Sequence, residues 1–243
     1  MRGTVISAVC VGISLLGCSG ADVMDADQGS LSSEAQEVWR SDWVDNTGHS
    51  PNNVRGIAHP PRAFVSFIWF SDGQMARGQR TFGPETTPYS CGTKNCADIR
   101  GIGIAQNTSH IYSWYQDGTL MEGIPENLSF YRQYPAGKLR MPTNPMTGAL
   151  FRMNDMLDVD NSPNGEWYFY WRDPGTQRVF RTTGTSDDAT RSSPQRVTTL
   201  DPAVAITAIS FFNWPEHHQD TVETWYANHR FNDSTSSLVL TQN

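Results

Sequence analysis

Basic residues are scarce in this sequence. It has 18 lysine and arginine residues against 25 aspartate and glutamate residues, a formal net charge of −7, and the basic residues form no stripe. Binding to nucleic acid or to anionic headgroups depends on clustered positive charge. The composition therefore predicts neither partner.

Recognisable catalytic motifs are also lacking. The sequence has no nucleophile elbow, no Ser-His-Asp set in a known context and no glycine-rich phosphate loop. We therefore assign no catalytic residue and expect no cofactor. A glycan-acting hydrolase stays open as an alternative, because two carboxylates about 5–10 Å apart leave no mark in a sequence.

Apolar runs long enough to cross a bilayer are missing at the N-terminus. The run from Val5 to Leu16 is shorter than the roughly 20 residues that a spanning helix needs. It follows the single charge of Arg2 and precedes the small Gly17, which is the order of a secretory signal peptide. Residues 1–17 are therefore predicted to be removed.

The tetrapeptide Leu15-Leu16-Gly17-Cys18 at the end of this leader resembles the bacterial lipobox. The resemblance implies that Cys18 is acylated, becomes the first mature residue and attaches the protein to a membrane through lipid. Ser19 follows it, where an aspartate would resemble an inner-membrane retention signal. We expect an outer-membrane lipoprotein that faces either the periplasm or the cell surface.

Cysteine is rare. Cys10 is lost with the leader and Cys18 carries lipid, which leaves Cys91 and Cys96. In an oxidising envelope these two should form a disulfide bond. Their spacing is not that of a Cys-x-x-Cys redox motif, and a zinc site needs further ligands nearby.

Residues 19–37 contain almost nothing to bury and are small, polar and acidic. Such a composition is typical of a disordered tether. The predicted organisation is a signal peptide over residues 1–17, a lipidated cysteine with its tether over residues 18–37, and a folded domain over residues 38–243.

Helical periodicity is absent from that domain, whereas aromatic residues make up 11% of the chain and eight are tryptophan. This composition predicts an all-β fold. The most informative feature is internal repetition. Residues 54–57 (VRGI) return as 99–102 (IRGI), and residues 69–73 (WFSDG) return as 114–118 (WYQDG), both at an offset of 45 residues.

Two looser copies follow. Residues 168–175 (YFYWRDPG) form the third, and the fourth runs from residues 206–209 (ITAI) to 225–228 (WYAN). A unit of about 45 residues with four short strands and an Asp-Gly hairpin turn matches a propeller blade. We predict a four-bladed β-propeller, with an open β array or two small sandwiches as alternatives.

Two strand-like ends are left over, residues 38–43 and residues 238–240. One end is expected to complete the blade of the other and close the ring. Gly56 and Gly101 fit crowded inner strands near a propeller axis, although a glycine in a strand can equally mark a bulge.

The units resemble the β-propeller repeats of bacterial cell-surface proteins, including lectin-like ones. The shared features are an Ile-x-Gly-Ile stretch and a Trp-Tyr-x-Asp-Gly-Thr hairpin, which lie between Ile99 and Thr119 in this sequence. The resemblance implies a binding domain for glycan or protein and assigns no binding residue.

Residues 158–166 place several oxygen ligands in what is predicted to be one loop, with Asp158, Asp160 and Asn164 as weak calcium candidates. The position of the last EF-hand ligand holds Trp171, where a bidentate glutamate is required. A polar turn without metal is the alternative, and we expect no metal ion.

Aromatic and histidine side chains supply the candidates for ligand contact. Trp214 lies outside the repeat pattern and is the best candidate for an exposed contact, with the neighbouring His217 and His218 as further candidates. One tryptophan in each unit is instead predicted to pack in the core; these are Trp69, Trp114, Trp171 and Trp225.

Three functions remain after these exclusions. The leading one is a non-enzymatic, lipid-anchored envelope protein that binds glycan or protein. The others are a structural or assembly component of the envelope and the glycan-acting hydrolase.

Overall fold

Among the described residues, regular secondary structure consists of antiparallel strands and a few short 3-10 turns. The computed structural model describes residues 40–44, 47–61, 65–78, 83, 85–124, 129–198, 205–214, 219–227, 230–234 and 239–241. The predicted leader, Cys18 and the tether therefore lie outside the described residues. Within these ranges no helix is long and apolar enough to cross a membrane.

Four antiparallel sheets form four blades. Strand β1 (Arg40–Val44) comes first in the chain and belongs to the fourth blade. Blade one contains β2 (Val54–Ala58), β3 (Ser66–Phe70), β4 (Gln74–Gly78) and β5 (Thr86–Pro88). Blade two contains β6 (Ile99–Ile104), β7 (Ile111–Tyr115), β8 (Leu120–Ile124) and β9 (Ser129–Tyr134).

The last two blades follow the same plan. Blade three contains β10 (Met156–Asn161), β11 (Trp167–Arg172), β12 (Val179–Gly184) and β13 (Gln195–Thr198). Blade four contains β14 (Ile206–Trp214), β15 (Gln219–Tyr226) and β16 (Arg230–Ser234). The last strand, β17 (Val239–Thr241), pairs with β13.

The first strands of the blades meet at a common axis. Strand β2 contacts β6, β6 contacts β10, β10 contacts β14, and β14 contacts β2. Strands β2 and β10 also contact each other across the ring. The predicted four-bladed β-propeller is therefore confirmed, with β2, β6, β10 and β14 as the inner strands.

The two chain ends contribute to different blades. Strand β1 pairs antiparallel with β16 and becomes the outer strand of the last blade, so the predicted closure by the N-terminal segment is confirmed. The C-terminal strand β17 is not part of that blade, because it pairs with β13 and becomes the fifth strand of blade three. Once β1 has covered the edge of β16, the remaining strand pairs with the open edge of β13.

Aspartate and glycine shape the tight turns between the second and third strands. Gly73 and Gly118 have φ angles of 81° and 79°, which glycine adopts without steric cost. The carboxylate of Asp72 accepts a hydrogen bond from the backbone of Gln74, and that of Asp117 accepts one from Thr119. The predicted hairpin turns are confirmed.

The four predicted core tryptophans are all at most 2% exposed, which confirms their packing role. Trp69, Trp114 and Trp225 occupy equivalent positions, each opposite the third residue of its inner strand. Trp171 does not occupy the equivalent position. In blade three, Tyr170 lies opposite the third residue of the inner strand, and Trp171 follows it in the chain. The four tryptophans therefore share their burial but not one position in the repeat.

Every inner strand carries a β-bulge at its second residue. The register shifts between Val54 and Gly56 in β2, and between Ile99 and Gly101 in β6. The equivalent shifts lie between Met156 and Asp158 and between Ile206 and Ala208. A bulge turns the following residues in a new direction and increases the local twist.

The third residue of these strands lies in the crowded centre. A Cβ atom on Gly101 would lie 2.7 Å from Cγ2 of Val159, and one on Gly56 would lie 3.0 Å from the backbone nitrogen of Ile102. Both sequence interpretations of these glycines are therefore correct, because they follow a bulge and also allow a close approach at the axis.

The Cys91–Cys96 disulfide bond is present, with 5.5 Å between the two Cα atoms. It closes the loop between blades one and two. Within that loop, Lys94 binds the carboxylate of Asp117 and donates to the hydroxyl of Thr119 at 3.0 Å. The disulfide therefore holds a loop that also contacts the hairpin turn of blade two.

Candidate functional site

A cavity of about 400 Å³ opens at one end of the propeller axis. Its wall contains residues from the beginnings of all four inner strands, including Val54 and Arg55, Ile99 and Arg100, Met156 and Leu157, and Thr207. The bulged second residues of all four inner strands lie in its wall. Every blade therefore contributes to this cavity, and it is large enough for a small ligand.

Arg55 and Arg100 are the second residues of β2 and β6 and lie beside this cavity. Nε of Arg55 donates to the carbonyl oxygen of Ala97 at 3.3 Å, and Nη1 of Arg100 donates to the same oxygen at 3.0 Å. Arg55 also donates to the carbonyl oxygens of Asn52 and Val54 at 2.9 and 3.0 Å. Backbone carbonyls therefore position both guanidinium groups.

Neutral side chains complete the contacts of Arg100. Its Nε donates to Oδ1 of Asn154 at 3.1 Å, and its Nη2 donates to Oε1 of Gln116. Gln116 directly follows β7, and Asn154 lies in the 3-10 turn Met153–Asp155 that leads into β10. Arg100 therefore links blades two and three without neutralising its charge.

Arg172 ends β11 and is the third guanidinium group at the cavity. It occupies the position that Gln116 holds in blade two. Its Nη2 atom and the hydroxyl oxygen of Thr207 are buried and have no hydrogen-bond partner among the described residues. Buried polar atoms of this kind cost free energy unless a ligand or water satisfies them.

No carboxylate of the described residues forms a salt bridge with Arg55, Arg100 or Arg172. Burial lowers the pKa of all three guanidinium groups, and the charge of Arg100 further lowers the pKa of Arg55. The charge of Asp98 raises the pKa of Arg55 and Arg100 in partial compensation. Arginine stays protonated in proteins, so the cavity combines positive charge with incomplete solvation.

The wall of the cavity contains no carboxylate, histidine or cysteine among the described residues. Groups that transfer protons near neutral pH are drawn mainly from these side chains. The site can therefore bind and orient a ligand, but its described wall offers no general acid or base.

Asp158 and Asp160, two of the calcium candidates, are fully buried in the inner strand β10. Asn164 is exposed in the turn that follows the strand. The predicted single loop of oxygen ligands is wrong, because residues 156–161 form a strand and its alternating side chains turn Asp158 and Asp160 toward the axis. No group of three metal-binding side chains occurs among the described residues.

Asp158 joins three blades at the axis. Its Oδ2 atom accepts hydrogen bonds from the backbone nitrogens of Ile57 and Ile209, both at 3.2 Å, and its Oδ1 atom accepts one from Val159 at 2.8 Å. The equivalent residues in the other blades are Gly56, Gly101 and Ala208. These small residues leave the space that the Asp158 side chain fills.

Burial raises the pKa of Asp158 well above its ordinary value, and the charge of Asp160 acts in the same direction. The three backbone hydrogen bonds oppose that shift without reversing it. Asp160 accepts hydrogen bonds from the backbone of Asn161 at 2.7 Å and from the hydroxyl of Ser210 at 3.3 Å. Both carboxylates thus connect strands inside the protein and are out of reach of a substrate.

Glu122 in β8 is another buried carboxylate whose oxygens are occupied. It accepts hydrogen bonds from His110 at 2.7 Å, Tyr112 at 3.0 Å and Tyr134 at 2.6 Å. Burial acts to raise the pKa of Glu122, but these hydrogen bonds outweigh it and the net pKa is lowered. This cluster connects three strands of blade two and lies away from the axial cavity.

The predicted ligand contacts are not among the cavity residues. Trp214 ends β14, whose second residue, Thr207, is at the cavity. Seven residues of strand separate them by about 23 Å, so the backbone of Trp214 lies at the other end of the axis. Its side chain, His217 and His218 lie outside the described residues.

The arginine cluster was missed from sequence. Arg55 and Arg100 served only as landmarks of the repeat, although two arginines at one repeat position and one offset were the available signal. Arg172 gave no signal, because blades one and two have Ser71 and Gln116 at its position. The overall acidic charge also hides a local positive cluster.

No protein-family model matches this chain, and no curated protein matches it. Among solved structures, it is similar to glutaminyl cyclase of Myxococcus xanthus, with 13% identity and a TM-score of 0.40 over 78% of this chain and 74% of that one. It is also similar to the WD40 β-propeller domain of Doa1, with 11% identity and a TM-score of 0.32 over 78% of this chain and about half, 51%, of that one. Similarity at this level says nothing about a shared activity.

Proposed function

We propose that this chain is a lipid-anchored protein of the bacterial cell envelope whose propeller binds a polar ligand, part of a glycan or of another envelope protein, in the axial cavity. The observation that carries the proposal is the cavity itself. All four blades contribute to it, and buried hydrogen-bond donors in its wall have no partner among the described residues. The absence of acidic and histidine side chains from the described wall favours binding over hydrolysis.

The proposed attachment to a membrane depends on the leader and on the lipobox-like residues that end at Cys18. Two or more acyl chains hold a protein stably on a membrane, because each buried methylene contributes about 0.8 kcal/mol. An acidic tether over residues 19–37 then separates the propeller from the bilayer.

Replacing Cys18 with serine is expected to release the protein from membranes. The variant loses the acylated residue and keeps the whole propeller, so it should move from the membrane pellet to the soluble or secreted fraction. Cell fractionation with immunodetection measures this distribution. The matched control is Cys10→Ser, which should leave the protein in the pellet; a Cys18→Ser variant that also stays there would contradict the lipid anchor.

Ligand binding is tested with the mature protein purified in detergent and applied to a glycan array and to envelope extracts. Thr207→Phe should abolish the binding that wild type shows, because the added ring occupies the cavity. Thr93→Phe, at an exposed threonine in the disulfide loop, is the control and should bind as wild type does. Binding that survives Thr207→Phe would place the ligand elsewhere, and no binding at all would favour the structural component.

A further inference from the structure

The groups of the axial cavity without a partner among the described residues can all donate hydrogen bonds, and only the hydroxyl of Thr207 can also accept one. Arg172 contributes a buried Nη2 atom without a partner among the described residues, and Thr207 contributes a hydroxyl in the same condition. Nη2 of Arg55 likewise donates no hydrogen bond to the described residues, since the bonds of this side chain come from Nε and Nη1. A ligand that fits must supply acceptor oxygens.

Several acceptors near these donors already accept hydrogen bonds from the arginines. The carbonyl oxygens of Asn52, Val54, Ala97 and Ile99 accept from Arg55 or Arg100. Oδ1 of Asn154 accepts from Arg100 as well. A peptide segment would bring amide N–H groups that need acceptors, whereas carboxylate oxygens need donors alone. The cavity therefore favours an acceptor-rich group over a peptide backbone.

The positive charge of the cavity also favours a carboxylate ligand. Three guanidinium groups meet at the cavity, and no carboxylate of the described residues forms a salt bridge with them. Guanidinium is planar, and its fork of donors matches the two oxygens of a carboxylate. Hydrogen bonds to backbone carbonyls already hold the guanidinium groups of Arg55 and Arg100 in place. These side chains therefore lose little conformational freedom when a ligand binds.

The wall also contains apolar side chains beside the polar Asn52 and Asn154. Val54, Ile99 and Met156 are buried, and Leu157 is half-buried beside them. Leu157 therefore keeps surface that can pack against the C–H face of a sugar ring while the arginines bind an oxygen-rich edge. A volume of about 400 Å³ is at the lower end of the range of small-molecule sites and suits a single ring.

We propose that the axial cavity binds the carboxylate of an acidic sugar, of the hexuronate class, with Arg172 as the main anchor and Arg55 and Thr207 as further donors. This inference depends on the proposed binding function and names its ligand class. The carboxylate is bound by the guanidinium group of Arg172, with Arg55 and Thr207 as further donors, and the ring lies against Leu157.

The test is isothermal titration of the mature protein in detergent with D-glucuronate, D-glucose and inorganic phosphate. Glucuronate and glucose differ at one carbon, which carries a carboxylate in the first and a neutral alcohol in the second. We expect glucuronate to bind at least about tenfold more tightly than glucose, because charge-assisted hydrogen bonds are the strong ones. Phosphate should bind more weakly than glucuronate, since it has no ring that can pack against Leu157.

Substitutions of Arg172 test whether this side chain is the main anchor for glucuronate. Arg172→Gln should weaken glucuronate binding by about tenfold or more and leave glucose binding unchanged, and Arg172→Lys should recover only part of the loss because it keeps the charge without the fork. Arg178→Gln is the matched control, since Arg178 is exposed in the turn after the same strand. Unchanged circular-dichroism melting curves verify that the variants fold.

Several results would overturn the inference. Equal affinity for glucuronate and glucose, both lost in Thr207→Phe, would leave the proposed binding function intact and remove the carboxylate. Tighter binding of phosphate than of glucuronate would identify a phosphate site. No binding of any of the three probes, together with a different hit on the glycan array, would reject the hexuronate class; this comparison uses wild type alone and does not depend on the folding of a variant.

Discussion

Replacing Asp158 with alanine is expected to lower the free energy of unfolding by about 3–5 kcal/mol. The carboxylate accepts hydrogen bonds from the backbone nitrogens of Ile57, Val159 and Ile209, which lie in three different blades. Alanine would leave all three donors buried without a partner, and each such donor costs about 1–3 kcal/mol. Urea denaturation monitored by tryptophan fluorescence measures the change.

Gly101→Ala offers a comparison at the same level of the axis, where the added Cβ atom meets Val159. Overpacking of this kind costs about 1–3 kcal/mol, so Asp158→Ala should be the more destabilising variant. If Asp158→Ala lost less than about 1 kcal/mol, the carboxylate would not be what joins the inner strands.

The same residue makes stability depend on pH. Burial raises the pKa of Asp158 in the folded protein above its value of about 3.9 in an unfolded chain. The folded state therefore holds the proton more tightly, and the resulting stabilisation is complete below about pH 4 and is lost as pH rises through the raised pKa. Relative to Asp158→Asn, which does not titrate, wild type should be more stable at acidic pH than at neutral pH. A difference that grows with pH would show that the pKa is lowered instead.

Deleting residues 38–43 is expected to lower the melting temperature by about 10 °C. This deletion removes nearly all of β1, which pairs with β16 at four positions in the last blade. Backbone hydrogen bonds contribute roughly 1 kcal/mol each, and a loss of about 4 kcal/mol shifts the melting temperature of a domain of this size by about 2–4 °C per kcal/mol. The exposed edge of β16 would also become a site for aggregation.

Differential scanning calorimetry of the mature protein measures this effect. Deleting six residues of the predicted tether, residues 25–30, is the control of equal length and should leave the melting temperature unchanged. An unchanged melting temperature after deletion of residues 38–43 would show that the ring closes without its N-terminal strand.

Local sequence was a good guide to the blades. The 45-residue offset and the Asp-Gly turns at Asp72 and Asp117 can be recognised directly in the sequence, and the structure confirms both. The closure by residues 38–43 was also predictable, because a strand-like segment without a partner needs an edge.

The placement of the C-terminal strand was not predictable in the same way. Residues 239–241 pair with β13, and nothing in a three-residue strand distinguishes that edge from the edge of β16. The register in blade three was predictable, because aligning Asp173 with Asp117 places Tyr170 at the position of Trp114, and the pairing with β10 agrees.

Composition and repeated motifs were enough to predict the all-β class, the four repeats, the Cys91–Cys96 pair and the tryptophan core. The centre of the molecule became visible only in three dimensions. Arg55, Arg100, Arg172 and Thr207 come from four blades, and Asp158 looked like part of a loop until the inner strands placed it on the axis. Residues brought together from positions up to about 150 apart leave no local pattern, and the free energy that holds them there comes from packing, which a linear sequence does not display.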